Sequence, residues 1–74
     1  MPVIATYCIS SRTQLCIEKI EYDSEDYIIF YEYDCIAERK GKRCKSCVQY
    51  TAKGQPYFIH HKRRIYLDEC IKVG

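Results

Sequence analysis

A chain of 74 residues, 47% hydrophobic and 30% charged, is a small globular domain rather than a disordered segment, and at this length it buries only about 60% of its unfolded surface, enough for one thin core and no second domain. Its net charge of +2 hides a segregation: residues 1–38 hold two bases and eight acids, a net of −6, whereas residues 39–74 hold ten bases and two acids, a net of +8. The opening stretch, residues 1–7, has neither a basic n-region nor a long apolar run, so neither a signal peptide nor a membrane span is expected there, and a cytoplasmic location is the expectation unless processing has removed a leader.

In that compartment thiols stay reduced, so the six cysteines are expected as free, mostly buried small hydrophobes rather than as a disulfide framework.

Val3 to Ile9 is rich in β-branched residues and alternates as a strand does. Ser10-Ser11 ends it. Between Gln14 and Tyr22 the apolar phase slips, with Leu15 and Ile17 on one face and Ile20 on the other, as a bulge near Glu18-Lys19 would produce. A helix competes here, since Thr13, Cys16, Ile17 and Ile20 also follow helical spacing and Ser11 with Gln14 resembles a capping box. The strand is favoured because Asp23-Ser24-Glu25-Asp26 reads as a turn into a partner, Tyr27 to Asp34. In that partner Tyr27, Ile29, Tyr31 and Tyr33 share a face expected to be core and rim.

Asp34 is expected to cap a helical turn through residues 35–40 that Gly41 stops, with residues 39–46 forming a basic loop. A meander follows: Cys47 to Ala52, a turn at Lys53-Gly54, Pro56 to His61, a turn around Lys62-Arg63, and Arg64 to Leu67, then one helical turn at Asp68-Glu69-Cys70. The expected fold is a single mainly β domain: a small antiparallel curled sheet or SH3-like barrel with one or two short helical turns.

The main chemical feature is basic. Arg39, Lys40, Lys42, Arg43 and Lys45, with Lys62, Arg63 and Arg64, lie at expected loops, where charge can be presented to phosphates without being desolvated. Tyr50, Tyr57, Phe58 and Tyr66 are candidate stacking residues for bases. The acidic hairpin offers a competing surface for a protein partner or a second copy, through Glu21, Asp23, Glu25 and Asp26 with Tyr31 and Tyr33.

Cys44-Lys45-Ser46-Cys47 has the spacing of half a zinc site, but the second pair of ligands is missing, so no cofactor is the expectation and zinc on Cys44 and Cys47 the lesser alternative. His60-His61 invites an acid–base pair. Neighbours in a strand point to opposite faces, and no carboxylate flanks them unless Asp68 or Glu69 approaches in space, so an enzyme is not expected.

The ending, Tyr57-Phe58-Ile59-His60-His61-Lys62-Arg63-Arg64-Ile65-Tyr66-Leu67-Asp68-Glu69, resembles the tail of small proteins of Gram-positive bacteria and their mobile elements, loosely extended by Ala5-Thr6-Tyr7-Cys8-Ile9-Ser10. The resemblance carries no activity and no site residues. It implies a phage or mobile-element accessory protein, including an inhibitor of a host nucleic-acid enzyme of the anti-CRISPR kind. The residues themselves point to a non-enzymatic, charge-guided binding module for nucleic acid. A protein inhibitor docking through the acidic hairpin and a zinc-stabilised protein-interaction domain are the alternatives.

Overall fold

The computed structural model describes residues 2–22 and 26–73, apart from the side chain of Tyr22. Asp23, Ser24 and Glu25, where the first hairpin turn was expected, lie outside the described residues. Among the described residues nine antiparallel strands follow in chain order: β1 (Ala5–Cys8), β2 (Thr13–Tyr22), β3 (Asp26–Asp34), β4 (Arg39–Lys40), β5 (Cys44–Cys47), β6 (Gln49–Tyr50), β7 (Pro56–His60), β8 (Arg63–Tyr66) and β9 (Ile71–Lys72). A 3-10 turn, Leu67–Glu69, separates β8 from β9.

The strands form two sheets, one ordered β4-β3-β2-β1-β9 with β5 also on β3, the other β6-β7-β8. The chain crosses between them at Val48, buried at the corner between β5 and β6. The curled-sheet form of the expected fold is what is observed; among the described residues no ladder joins β8 to β9, so the barrel is not closed. No helix of the described residues is long and apolar enough to cross a membrane.

Residues 13–22 are strand, not helix. Ile17 faces Phe30 and Lys19 faces Ile29, which leaves Glu18 as the extra residue of a bulge at the position that the phase slip predicts. The bulge lets Leu15, Ile17 and Ile20 all serve the core although their spacing breaks period two.

The core lies between the sheets, where Leu15, Ile17, Ile28, Phe58 and Ile65 are fully enclosed and Phe30 meets Phe58 at 5.0 Å between ring centroids. By alternation Ile28, Phe30 and Glu32 of β3 share the core face. Tyr27, Ile29, Tyr31 and Tyr33 take the face away from the second sheet, so of the stripe expected as core and rim only Tyr31 is buried, outside the main core cluster. Cations cover the stripe: Lys45 and Lys19 lie over Tyr27 at 4.3 and 5.6 Å, and Lys40 over Tyr31 at 5.5 Å.

The helical turn expected after Asp34 does not form. Asp34 Oδ1 does accept from the backbone N–H groups of Ile36 and Ala37 as a cap would, but Glu38 turns left-handed at φ 54°. Arg39–Lys40 then returns as β4 along β3. Those backbone bonds, with the Arg12 guanidinium 2.9 Å away, hold the Asp34 carboxyl below its ordinary range.

All six cysteines are free; Cys16 and Cys70 are buried, and Cys8, Cys35, Cys44 and Cys47 are exposed. Burial pushes the Cys16 thiol up and the Cys70 thiol up to about 11. Brief treatment of the folded protein with iodoacetamide at about pH 8 is therefore expected to alkylate the four exposed thiols and spare the two buried ones, with all six modified in denaturant. Intact mass reads the result, and a native product carrying six adducts would contradict this packing.

Candidate functional site: two histidines and a glutamate

The β7–β8 hairpin pairs His60 with Arg63, which leaves His61 and Lys62 as the central residues of a two-residue turn. Both have positive φ, 51° and 63°, the conformation that a tight hairpin of matched twist demands. The turn falls one residue earlier than the expected Lys62-Arg63, and that shift changes the chemistry. His61 is no longer a strand residue and does not point away from His60; the two rings lie 4.1 Å apart. This corrects the expectation of opposite faces.

Both rings converge on one carboxylate. The Nε2 atoms of His60 and His61 lie 2.6 and 3.1 Å from Glu32 Oε1. Glu32 sits on the core face of β3, two residues beyond Phe30, where the apolar core gives out, and His60 packs edge-on against Phe30 at 5.2 Å. The hydrogen bond from His60 holds the Glu32 carboxyl below its usual range. The His60 side chain is only 13% exposed and is fixed, whereas His61 at 78% opens the cluster to solvent.

The partner carboxylate is thus Glu32, 28 residues away in sequence, and not Asp68 or Glu69. The backbone at Glu32 is held in turn by Gly41, whose N–H donates to the Glu32 carbonyl at 2.6 Å. A Cβ at position 41 would meet that oxygen at 3.0 Å, so any larger residue would have to push the two backbones apart by a few tenths of an ångström. Glu32, Gly41, Lys42, Cys44, His60 and His61 line one open cavity.

The Cys44–Cys47 pair does not form a chelating clip. β5 sets Cys44 beside Phe30 and Cys47 beside Tyr27, on opposite faces of the strand, so the two thiols diverge. Only Cys44 faces the cavity.

The two basic segments approach at their edges, through Lys42 on one side and His61, the residue before Lys62, on the other. Lys42 from the β4–β5 connection and the β7–β8 turn line the same cavity, and Arg39 and Lys40 line an adjoining cleft that shares Glu32 and Gly41. The eight bases are not equivalent. Arg43 binds Glu18 at 2.7 Å, Lys45 rests on Tyr27, and Arg64 lies over Tyr57 at 4.6 Å and donates to the Tyr66 hydroxyl. Arg39, Lys42, Lys62 and Arg63 are exposed and without an ion-pair partner among the described residues.

Of the candidate stacking aromatics, Phe58 is enclosed in the core and Tyr57 is buried beneath Arg64; Tyr50 is 48% exposed and Tyr66 partly so. On the acidic side Asp23 and Glu25 lie outside the described residues, Glu21 pairs with Lys19 at 3.7 Å, Tyr31 is buried, and Asp26 and Tyr33 are half-buried.

These features define a small, open two-sheet β protein with a two-histidine, one-carboxylate cluster at the edge of a basic surface. No family model matches the chain, and no curated protein or solved structure matches it either.

Proposed function

We propose that this protein is a non-enzymatic, charge-guided module that binds nucleic acid through its basic C-terminal half. The observation that carries the reading is that the 39–45 segment and the β7–β8 turn meet at one cavity, with Lys42 from the first and His61 from the second in its wall, and Lys62 and Arg63 follow His61 directly in the chain. Arg39, Lys40, Lys42, Lys62 and Arg63 are its phosphate contacts. Arg43 has a second duty toward Glu18, and Tyr50 and Tyr66 replace Phe58 and Tyr57 as the aromatics within reach of a base. The competing reading, a mobile-element inhibitor docking through the acidic hairpin, is less favoured because Tyr31 is buried and Glu21 is already paired.

Fluorescence anisotropy of labelled single- and double-stranded DNA and RNA, titrated across salt, tests this. Saturable binding is expected, with log affinity falling linearly in log salt by about 0.9 per phosphate contact on duplex DNA and about 0.7 on single strands. Reversing Arg39, Lys42 and Arg63 to glutamate, with Arg43 kept, is expected to weaken binding at least about tenfold at low salt. Absence of binding by the native protein at low salt would end the reading and turn the search to protein partners.

A further inference from the structure

The cluster of Glu32, His60 and His61 does more than tie the β7–β8 turn to β3. We infer that it is a binding site for a borderline first-row divalent cation, zinc foremost, with the two imidazole Nε2 atoms and a Glu32 oxygen as its protein ligands and a further position open to water. The inference goes beyond nucleic-acid binding and does not depend on it.

Three observations carry it. One ligand atom from each of the three residues lies within 4.8 Å of the others, and both Nε2 atoms already converge on the same carboxylate oxygen. Ligands bound tetrahedrally to zinc at about 2.0–2.2 Å stand about 3.3–3.6 Å from one another, so an ion is accommodated by moving the imidazoles off the Glu32 oxygen by less than about 1 Å and drawing the two nitrogens to that spacing. The donor set is two nitrogens and one oxygen, which suits zinc or its neighbours and disfavours magnesium and calcium, whose sites are built from oxygen.

The second observation is backbone geometry. Two successive non-glycine residues, His61 and Lys62, hold left-handed φ in a turn where Asn-Gly would be the unstrained choice. Conformations of this kind persist where the surroundings over-determine them, and here the outcome is to swing His61 beside His60. The third is the gradient of exposure. His60 is anchored on Phe30 and nearly closed off, while His61 is open, so the ligand set combines a fixed side and an accessible side. Three protein ligands with an open fourth position is the arrangement of zinc sites that keep a bound water.

Metal binding would exchange the two hydrogen bonds to Glu32 for coordination. With neutral rings each Nε2–H donates to Glu32 in the metal-free protein; on binding, Nε2 becomes the ligand and the ring proton resides on Nδ1. No net proton is lost in that exchange, and the tautomer change is a signature that a purely structural hydrogen bond would not give.

The test uses the full chain with Cys8, Cys35, Cys44 and Cys47, the exposed thiols, replaced by serine so that thiolates do not compete. Zinc affinity is measured by competition with a chromophoric chelator, and ring nitrogen shifts are followed by NMR. The expected result is one zinc per chain and a shift of both histidines from the Nε2–H to the Nδ1–H tautomer. Glu32→Gln and His61→Ala are each expected to weaken binding by at least about tenfold. His61→Ala alters an exposed side chain and keeps the fold, so loss of affinity there reads the site itself. Zinc affinity unchanged in both variants, or no zinc-dependent tautomer shift in the background protein, would overturn the inference.

Discussion

Phe58→Ala is expected to remove a large part of the stability of the chain. Phe58 is fully enclosed, joins the sheets through Phe30, and sits two residues before His60 on the same face of β7. Removing a buried phenyl ring costs about 3–5 kcal/mol, the transfer term plus the cavity left behind. A chain of this size has a total stability of about 4–11 kcal/mol, so the loss is comparable to the whole at the lower end. At about 4–8 °C per kcal/mol the melting temperature falls by at least roughly 12 °C. Circular dichroism during thermal and urea unfolding measures it. Ile59→Ala is the control: Ile59 is the next residue on the strand but faces outward and is 41% exposed, and its truncation should cost no more than about 1 kcal/mol. If the two variants melt alike, the core is not where the sheets meet.

The expected severity of Phe58→Ala also illustrates what sequence patterning conveys and what it does not. The strands from Gln14 to Tyr22 and Tyr27 to Asp34, the bulge near Glu18, and the turn at Lys53-Gly54 are local features, written in alternation and turn chemistry, and they are legible. Gly54 adopts φ 84°, and Thr51 Oγ1 accepts from the backbone of Lys53 and Gln55. β9 was missed because two residues, Ile71–Lys72, carry no period; only their pairing with Ala5 and Thr6 makes them a strand. Phe58 reads equally as a stacking or a core residue in sequence, and the register Phe58 to Ile65 decides it.

Face assignment failed for a physical reason. On β3 both faces carry large apolar rings, so alternation reports two faces without saying which one meets the second sheet. Tyr27 and Tyr33 suit the outer face because their hydroxyl ends tolerate water, and lysine stems cover the rings of Tyr27 and the buried Tyr31. The charge segregation was visible, yet part of it is spent within the molecule. Arg43 of the basic half reaches Glu18 of the acidic half, whose side chain is 4% exposed. A buried carboxylate needs such partners, and sequence spacing cannot announce a pair 25 residues apart. The Glu32 cluster was hidden in the same way, and additionally by a turn that lacks the Gly or Asn by which hairpins of this kind are recognised.

That missing turn signal yields the last expectation, a gain of stability coupled to a loss of function. Left-handed backbone costs an L-residue on the order of 1–2 kcal/mol, and His61 and Lys62 both adopt it. Asn at position 61 and Gly at 62 are the residues that a two-residue turn with positive φ at both positions prefers. The double variant His61→Asn with Lys62→Gly gives up the exposed 3.1 Å hydrogen bond of His61 to Glu32 and relieves the backbone at both sites. The net stabilisation is about 1–2 kcal/mol, which raises the melting temperature by roughly 4–16 °C. Zinc affinity should fall with it by at least about tenfold, as for His61→Ala. Lys62→Gly alone separates the two effects, since it relaxes one strained residue while leaving both histidines, and it should gain part of the stability with zinc affinity retained. A double variant no more stable than the native chain would mean that the turn carries no strain. A more stable variant that no longer binds zinc would mean that His61 is kept in an unfavourable conformation because its imidazole is needed beside His60 and Glu32.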